Sequence, residues 1–411
     1  MLGLQQIFGK ETIVGIDIGS RTMKVVMAEP GSGPYQWKLT KAATAPTPKD
    51  SIRDGVVVDT AAMSQAIRDL LRSADIAATG ATSAISGSSV IVRHVKLPKM
   101  NENLLRKSIR YEAKQYISSN TEDSMIEFEI TGPVPGEADK MGVMLVAVPN
   151  DMVETRLTSI IGAGLEPIAI DIEAFALQRS LLDISSTQPG DGMTMALLDI
   201  GAVTTDVNII TNGKFALTRN IAIAGDAFTN ALKPVTRKTE WDDLEAAKFQ
   251  VNMAALLDSD ATPEALALAQ ALQPTVDELL REVRRSINYY QSQLTDTANS
   301  NLPVGITAES GGTTVAKIVI SGGSARMQGL AQYMSARLGI EVEVWNVFDN
   351  PTIDSSMIPD SYKEETHCVL GAAIGLALKE SLEHPQALKA VKAIKAPKVP
   401  KPPKVKMAKA A

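Results

Sequence analysis

The stretch IVGIDIGSRTMKVVM, residues 13–27, places an aspartate at the end of an apolar run, turns on a glycine and resumes the apolar run; MALLDIGAVTTDVNII, residues 195–210, repeats the pattern. A single Asp-x-Gly tip is an ordinary hairpin turn whose side chain braces the bend. Two copies constrain the chain far more. Each needs flanking strands in a sheet, and 411 residues are too many for one ordinary core but suit two lobes with one hairpin each.

The rest of the chain alternates strand and helix patterns, which indicates α/β layers. Apolar positions recur at helical spacing in Gly55–Leu71, and ATSAISGSSVIVRHVKLP reads as strands. A charged amphipathic helix should start at Asn101, a good N-cap, and lead into the strands SMIEFEI and MGVMLVAVP. Further on, 259–273 is alanine-rich and helical in propensity, TVDELLREVRRSINYYQSQL reads as a separate long helix, and 296–314 as a loop. The body closes on the helix HCVLGAAIGLALKESL.

No apolar run reaches the roughly 18 residues of a membrane span, and MLGLQQIFGKET lacks a cleavable signal pattern. A cytoplasmic location is therefore expected. Cys368 alone forms no internal disulfide and reads as a small buried hydrophobe, while His94, His367 and His384 have no zinc spacing. Residues 389–411 hold eight lysines and no acid, although the whole chain carries a formal charge of −6. An acidic body with a basic, proline-rich tail argues against nucleic-acid binding. The tail is expected to be disordered, with peripheral membrane contact as its alternative use.

Phosphates need backbone N–H donors at close range, and glycine lets the main chain approach them. Gly19 with Ser20, and Gly201 with Thr204 and Thr205, offer two such turns. A carboxylate beside phosphate repels it unless a cation intervenes, so Asp17 and Asp199 are candidate Mg²⁺ partners, acting through water. A third element, IVISGGSARMQGL, ends a strand in Ser321, Gly322 and Gly323 before a helix, where close contact with a nucleoside or phosphate is allowed.

The order of hairpin, second hairpin and Gly-Gly turn resembles the actin, Hsp70 and sugar-kinase superfamily of two-lobed, ribonuclease H-like ATP-binding folds. Within it, GIDIGSRTMKVV, VIVRHVKLPKM, RYEAKQYI, AIDIEAFALQRSLL, LLDIGAVTTDVNI and GAAIGLALK resemble the PilM family of type IV pilus assembly, over roughly residues 10–380; YISSNTEDS departs from it. The resemblance implies a first lobe from 1–85, an inserted FtsA/PilM-type partner-binding subdomain at 86–167, a connection at 168–194, a second lobe at 195–380 and a tail at 381–411. It also implies ATP and Mg²⁺ as cofactors and at most slow ATPase activity. By the same resemblance Glu173 either orients water or caps its helix, and Glu245 with Lys248 either flanks the nucleoside or forms an ordinary ion pair. The implied partner is the N-terminal cytoplasmic peptide of the inner-membrane protein PilN, with other inner-membrane pilus components behind it. That would hold the protein at the membrane through its partner. An FtsA-like division protein and a small-molecule kinase are the competing readings.

Overall fold

The computed structural model describes residues 12–31, 37–117, 121–181, 193–295, 302–304, 306 and 314–382. The lysine- and proline-rich tail, most of the loop 296–314, the 182–192 part of the lobe connection and part of YISSNTEDS lie outside the described residues. In chain order the first half comprises β1 (Ile13–Ile18), β2 (Thr22–Pro30), β3 (Trp37–Pro46), β4 (Ile52–Arg53), β5 (Val56–Val57), α1 (Thr60–Ser73), β6 (Gly80–Ile85), β7 (Ile91–Pro98), α2 (Glu102–Ala113), β8 (Ser124–Val134), β9 (Glu137–Pro149), α3 (Asn150–Gly162), β10 (Glu166–Ile172) and α4 (Glu173–Leu181). The second half comprises β11 (Thr194–Ile200), β12 (Thr205–Thr211), β13 (Lys214–Ile221), α5 (Gly225–Ala231), α6 (Lys233–Thr236), α7 (Trp241–Lys248), α8 (Pro263–Thr295), β14 (Lys317–Ser321), α9 (Leu330–Leu338), β15 (Glu341–Val344), β16 (Ile353–Asp354), α10 (Asp360–Thr366) and α11 (Gly371–Leu382).

Both repeated motifs fold as expected. β1 and β2 form an antiparallel hairpin with Asp17 opposite Lys24, and β11 and β12 form another with Asp199 opposite Asp206. Each hairpin nucleates its own sheet, ordered β10-β6-β1-β2-β3-β16 in one lobe and β13-β12-β11-β14-β15 in the other. Because β1 runs parallel to β6, and β11 to β14, both aspartates sit at the carboxyl ends of central strands. That is where open α/β sheets bind ligands.

Helices α4 and α11 fill the space between the sheets. One apolar cluster takes Val26 and Leu39 from the first, Leu197 and Val319 from the second, and Leu177, Ile374 and Leu378 from these helices. The backbones meet closely: a Cβ at Gly375 would lie 1.8 Å from the Ala176 carbonyl oxygen. Gly375→Ala should therefore cost about 3 kcal/mol or more of stability, since main chain has to move; a shift of the denaturant midpoint at unchanged slope is the expected reading.

Two expected boundaries move. The C-terminal part of the range 195–380 does not stay with the second lobe: β16 pairs with β3, and α11 packs on β1 and β2, because its nearly all-apolar surface needs cover on several sides. The inserted unit also ends earlier than residue 167. Its sheet, ordered β7-β9-β8, closes with Pro149, and α3 then packs on α1 through Ile160 in the core of the first lobe. Within the insert Asn101 caps α2 as expected, its side chain accepting the Leu104 N–H at 2.8 Å. The two helices expected around 259–293 are one, α8, with Pro274 inside it, because buried Ala269, Leu272, Val276 and Leu279 continue one apolar face through the proline.

The insert touches the second lobe through His94, a buried side chain on β7. Its Nε2 pairs with the Phe215 carbonyl of β13 at 3.0 Å and its Nδ1 has no partner. Burial holds its pKa down at about 4, the hydrogen bond opposing this only in part. A histidine depressed in the folded state leaves stability intact above its unfolded pKa near 6.5 and removes it as pH falls toward 4. The loss should approach about 3 kcal/mol. Urea titrations from pH 7 to 4 should show it, and His94→Gln should flatten that part of the profile.

Candidate functional site

The two hairpin tips and the Gly322–Gly323 turn line one cleft of about 670 Å³. On the first-lobe side the Gly19 N–H donates to the Thr22 carbonyl at 3.2 Å, closing a tight turn, and the Gly19 carbonyl accepts from the Thr47 hydroxyl at 2.6 Å. On the second-lobe side Gly201 makes the equivalent bond to the Thr204 carbonyl at 3.0 Å. The start of α5 is tied to this turn, Gly225 N–H donating to the Gly201 carbonyl at 3.0 Å. Gly322 has φ +90°, and a Cβ there would lie 2.5 Å from the Ile200 carbonyl oxygen, so only glycine permits the β14 turn to close on the second hairpin. Nothing stands within 4 Å of the Cβ direction of Gly323, which leaves that face of the turn open.

Negative charge dominates the floor. Glu173, the first residue of α4, has its pKa raised well above the carboxylate range, first by burial and then by Asp17, Asp199 and Asp206; a hydrogen bond with Ser86 opposes this. Burial likewise raises Asp206 to about 7, although the Asn220 amide donates to it at 2.8 Å. Asp199 is raised by burial and Asp17 against the opposing Ser321 hydroxyl, which donates to its Oδ1. Asp17 is held by Lys24 at 2.8 Å; burial lowers the Lys24 pKa, but Asp17 outweighs it and the net shift is upward. Four mutually repelling carboxyl groups at the carboxyl ends of the sheets suit an added cation. Among the described residues no three or more His, Cys, Asp or Glu side chains group closely enough to hold a metal ion by themselves. A hydrated Mg²⁺ completed by phosphate oxygens fits this donor set better than a protein-only cage.

At the second-lobe wall Lys248 lies in the cleft lining with its side chain 3% exposed. It pairs with Glu245 at 2.6 Å, and Thr229 donates to the other Glu245 oxygen. The pair has i to i+3 spacing yet is not an exposed surface pair, and burial lowers the lysine pKa despite Glu245. The Phe249 ring beside it carries Lys248 Nζ at 4.8 Å and the Arg326 guanidinium at 4.7 Å, forming a stacked layer of cation and aromatic.

The structure thus brings together Asp17, Gly19, Ser20, Glu173, Asp199, Gly201, Thr204, Glu245, Lys248, Gly322 and Gly323. Thr205 and Ser321 are not in the lining. Both are fully buried, Thr205 donating to the Ile223 carbonyl at 2.7 Å and Ser321 to Asp199. Sequence reading missed Lys24, Arg156, Asp206 and the Arg21–Asp226 pair. Arg21 follows the first hairpin tip, donates to Asp226 of α5 at 2.8 and 3.3 Å and lies 4.3 Å over Trp241, so it bridges the lobes at the cleft mouth. Lys24 and Asp206 had a signal, being directly opposite the motif aspartates in two-residue-period strands; Arg156 and Asp226 had none. Cys368 is buried as expected, and burial pushes its thiol up to about 11.

A family model described as type IV pilus assembly protein PilM matches residues 15–381. Cell division protein FtsA of Pseudomonas aeruginosa is 30% identical over 207 residues, 45% of this chain, and the chain spans 44% of that curated relative. Among solved structures, the PilM–PilN type IV pilus biogenesis complex aligns with a TM-score of 0.73 at 24% identity, covering 89% of this chain and 98% of that one. Ethanolamine utilization protein EutJ from Carboxydothermus hydrogenoformans aligns at 0.49 and 17% identity, over 90% of each chain. The family-model match and the alignment with the PilM–PilN complex give the chain the two-lobed PilM fold with its three-stranded insert. Among the described residues no helix is long and apolar enough to cross a membrane.

Proposed function

The chain belongs to the PilM family of type IV pilus assembly proteins, and from that premise we propose that it is an ATP-binding adaptor that docks the cytoplasmic N-terminal peptide of the inner-membrane protein PilN. One observation carries the nucleotide half: two Asp-Gly hairpin tips from separate sheets and a Gly-Gly turn face a single cleft of about 670 Å³, a size suited to a small-molecule ligand. Backbone at Gly19, Ser20, Gly201 and Thr204 would hold phosphates, while Gly322, Gly323, Glu245 and Lys248 would flank the nucleoside. Asp17 and Asp199 would hold Mg²⁺ through water, and the cation would screen phosphate from the acidic floor. The partner half is supported by the related PilM–PilN complex and by the insert, in whose sheet β7 and β8 are the outer strands among the described residues, the position at which strand addition occurs. Such docking would keep the protein at the cytoplasmic face of the inner membrane, near other pilus components.

Titration calorimetry with ATP and Mg²⁺, then with a synthetic PilN N-terminal peptide from the same organism, tests both halves. Low-micromolar or tighter ATP binding and separate capture of the peptide are expected. Nucleotide binding without peptide capture favours the division-protein reading. Rapid phosphoryl transfer to a small acceptor favours the kinase reading.

Turnover should be slow. Glu173 is the carboxylate nearest in role to a water-orienting base, and burial followed by Asp17, Asp199 and Asp206 raises its pKa, so it ionises at higher pH than an ordinary carboxylate. Phosphate release should consequently rise with pH as Glu173 ionises, and Glu173→Ala should remove that rise while leaving ATP affinity nearly unchanged. A flat profile for the parent chain would assign the water to another group.

A further inference from the structure

We propose that Arg156 distinguishes ATP from ADP in this cleft by placing its guanidinium against the terminal phosphate, a role that rests on the nucleotide reading above. Arg156 lies on α3, is 4% exposed and lines the cleft on the first-lobe side. One terminal nitrogen donates to the Ile18 carbonyl at 3.1 Å, immediately before the Gly19 turn, and Nε has no partner. Among the described residues no carboxylate lies within the 4.0 Å ion-pair distance of it. Burial lowers the Arg156 pKa, and Asp17 and then Glu173 oppose this from beyond pairing distance; a buried guanidinium with no directly paired carboxylate is costly, and a bound anion would offset that cost.

The neighbouring acids do not fill that role. Asp17 is engaged by Lys24 at 2.8 Å. Glu173 is driven toward its neutral form by burial and by the surrounding carboxylates. A phosphate oxygen pair matches the planar fork of arginine better than that of lysine.

Position selects the terminal phosphate over the inner ones. The nucleoside side of the cleft, with Gly322, Lys248 and Phe249, belongs to the second lobe, whereas Arg156 adjoins the first hairpin. A nucleotide whose base end meets the second-lobe wall reaches Arg156 last, with the group that ADP lacks. The sensor is also well placed to report: α3 begins at Asn150, directly after β9 ends at Pro149, so the helix that carries Arg156 also carries one end of the insert.

The test is calorimetry of ATP and ADP, both with Mg²⁺, against the parent chain, Arg156→Gln and Arg156→Lys, with thermal unfolding as the folding control. Arg156→Gln should lose tenfold or more in ATP affinity and less than about threefold for ADP; Arg156→Lys should fall between on ATP. Independently, the Arg156 Nε–H resonance of the parent chain, assigned by its loss in Arg156→Lys, should shift with ATP and not with ADP. Equal losses for both nucleotides would reduce Arg156 to a brace for the Ile18 carbonyl and overturn the proposal, as would an unshifted resonance. A parent chain that binds neither nucleotide overturns the nucleotide reading itself. If Arg156→Gln does not fold, Arg156→Lys and the resonance decide.

Discussion

Asp199→Ala should weaken ATP binding in the presence of Mg²⁺ by about 10- to 100-fold, the usual effect of losing a group that holds a metal through its water shell. The sign should reverse when the cation is removed. In EDTA the parent chain sets phosphate against four carboxyl groups, and deleting one of them should leave ATP affinity equal or slightly better. Asp17→Ala should act in the same direction with a smaller amplitude. Its carboxylate is already paired with Lys24 at 2.8 Å, whereas Asp199 accepts the neutral Ser321 hydroxyl and feels Lys24 only through a weaker charge interaction, so Asp199 has the less compensated charge to offer. Calorimetric titrations of the two variants with and without EDTA settle the roles: ATP affinity in the parent chain that is indifferent to EDTA contradicts the cation scheme, and an unchanged Asp199→Ala variant removes that residue from it.

The parts of this site that were legible in sequence are those written locally. An Asp-Ile-Gly tip between two apolar runs specifies hairpin, face and turn within a few residues, and Gly322 is recognisable because a strand-to-helix junction that presses on another backbone admits no Cβ. Thr205 shows the limit of that logic. It stands one residue beyond the turn, and the two-residue alternation of β12 sends its side chain inward to the Ile223 carbonyl, whereas Asp206 is the next residue to face the cleft. Arg156 was illegible for a different reason. Its helix lies far along the chain from the first hairpin, and nothing in TRLTS distinguishes a buried arginine from a solvated one until α3 is packed on α1.

Fold boundaries failed in the same way. α11 reads as a closing helix wherever it goes; only the fit of Gly15 against Ala373 and of Gly375 against Ala176 shows that it returns to the first lobe. The proline in α8 reads locally as a break, yet a continuous buried face outweighs one lost main-chain hydrogen bond. The electrostatic consequence is similar. Asp206 is unremarkable in its own segment, and the raised pKa of Glu173 comes from burial and from the lobes bringing Asp17, Asp199 and Asp206 around it.

Excising the insert should abolish PilN-peptide capture while leaving the nucleotide cleft in place. The structure defines where to cut. Removing only residues 101–148 would strand β7, whose partner is β9, and expose Val92, Val95 and Leu97. Replacing 88–149 with a short Gly-Ser linker removes the whole three-stranded unit, and the ends are near each other because a Cβ on Gly87 would lie 4.0 Å from the Met152 side chain. Most of the insert's core is its own, formed by Val95, Leu97, Leu105, Ile109, Met141, Val143 and Leu145. What remains behind loses chiefly the cover over Phe215 and Met152, a cost of about 2–3 kcal/mol at ~25 cal/mol per Å² of apolar surface. A short peptide buries little area, so its affinity has to come from a preformed surface with apolar anchors. The insert presents candidates in Leu104 and Tyr111, 52% and 71% exposed and two helical turns apart on α2. An excised chain that binds ATP as the parent does and no longer captures the peptide places docking on the insert. One that binds both normally moves docking to the lobes and removes the main physical reason for the insert to serve as the partner-binding unit.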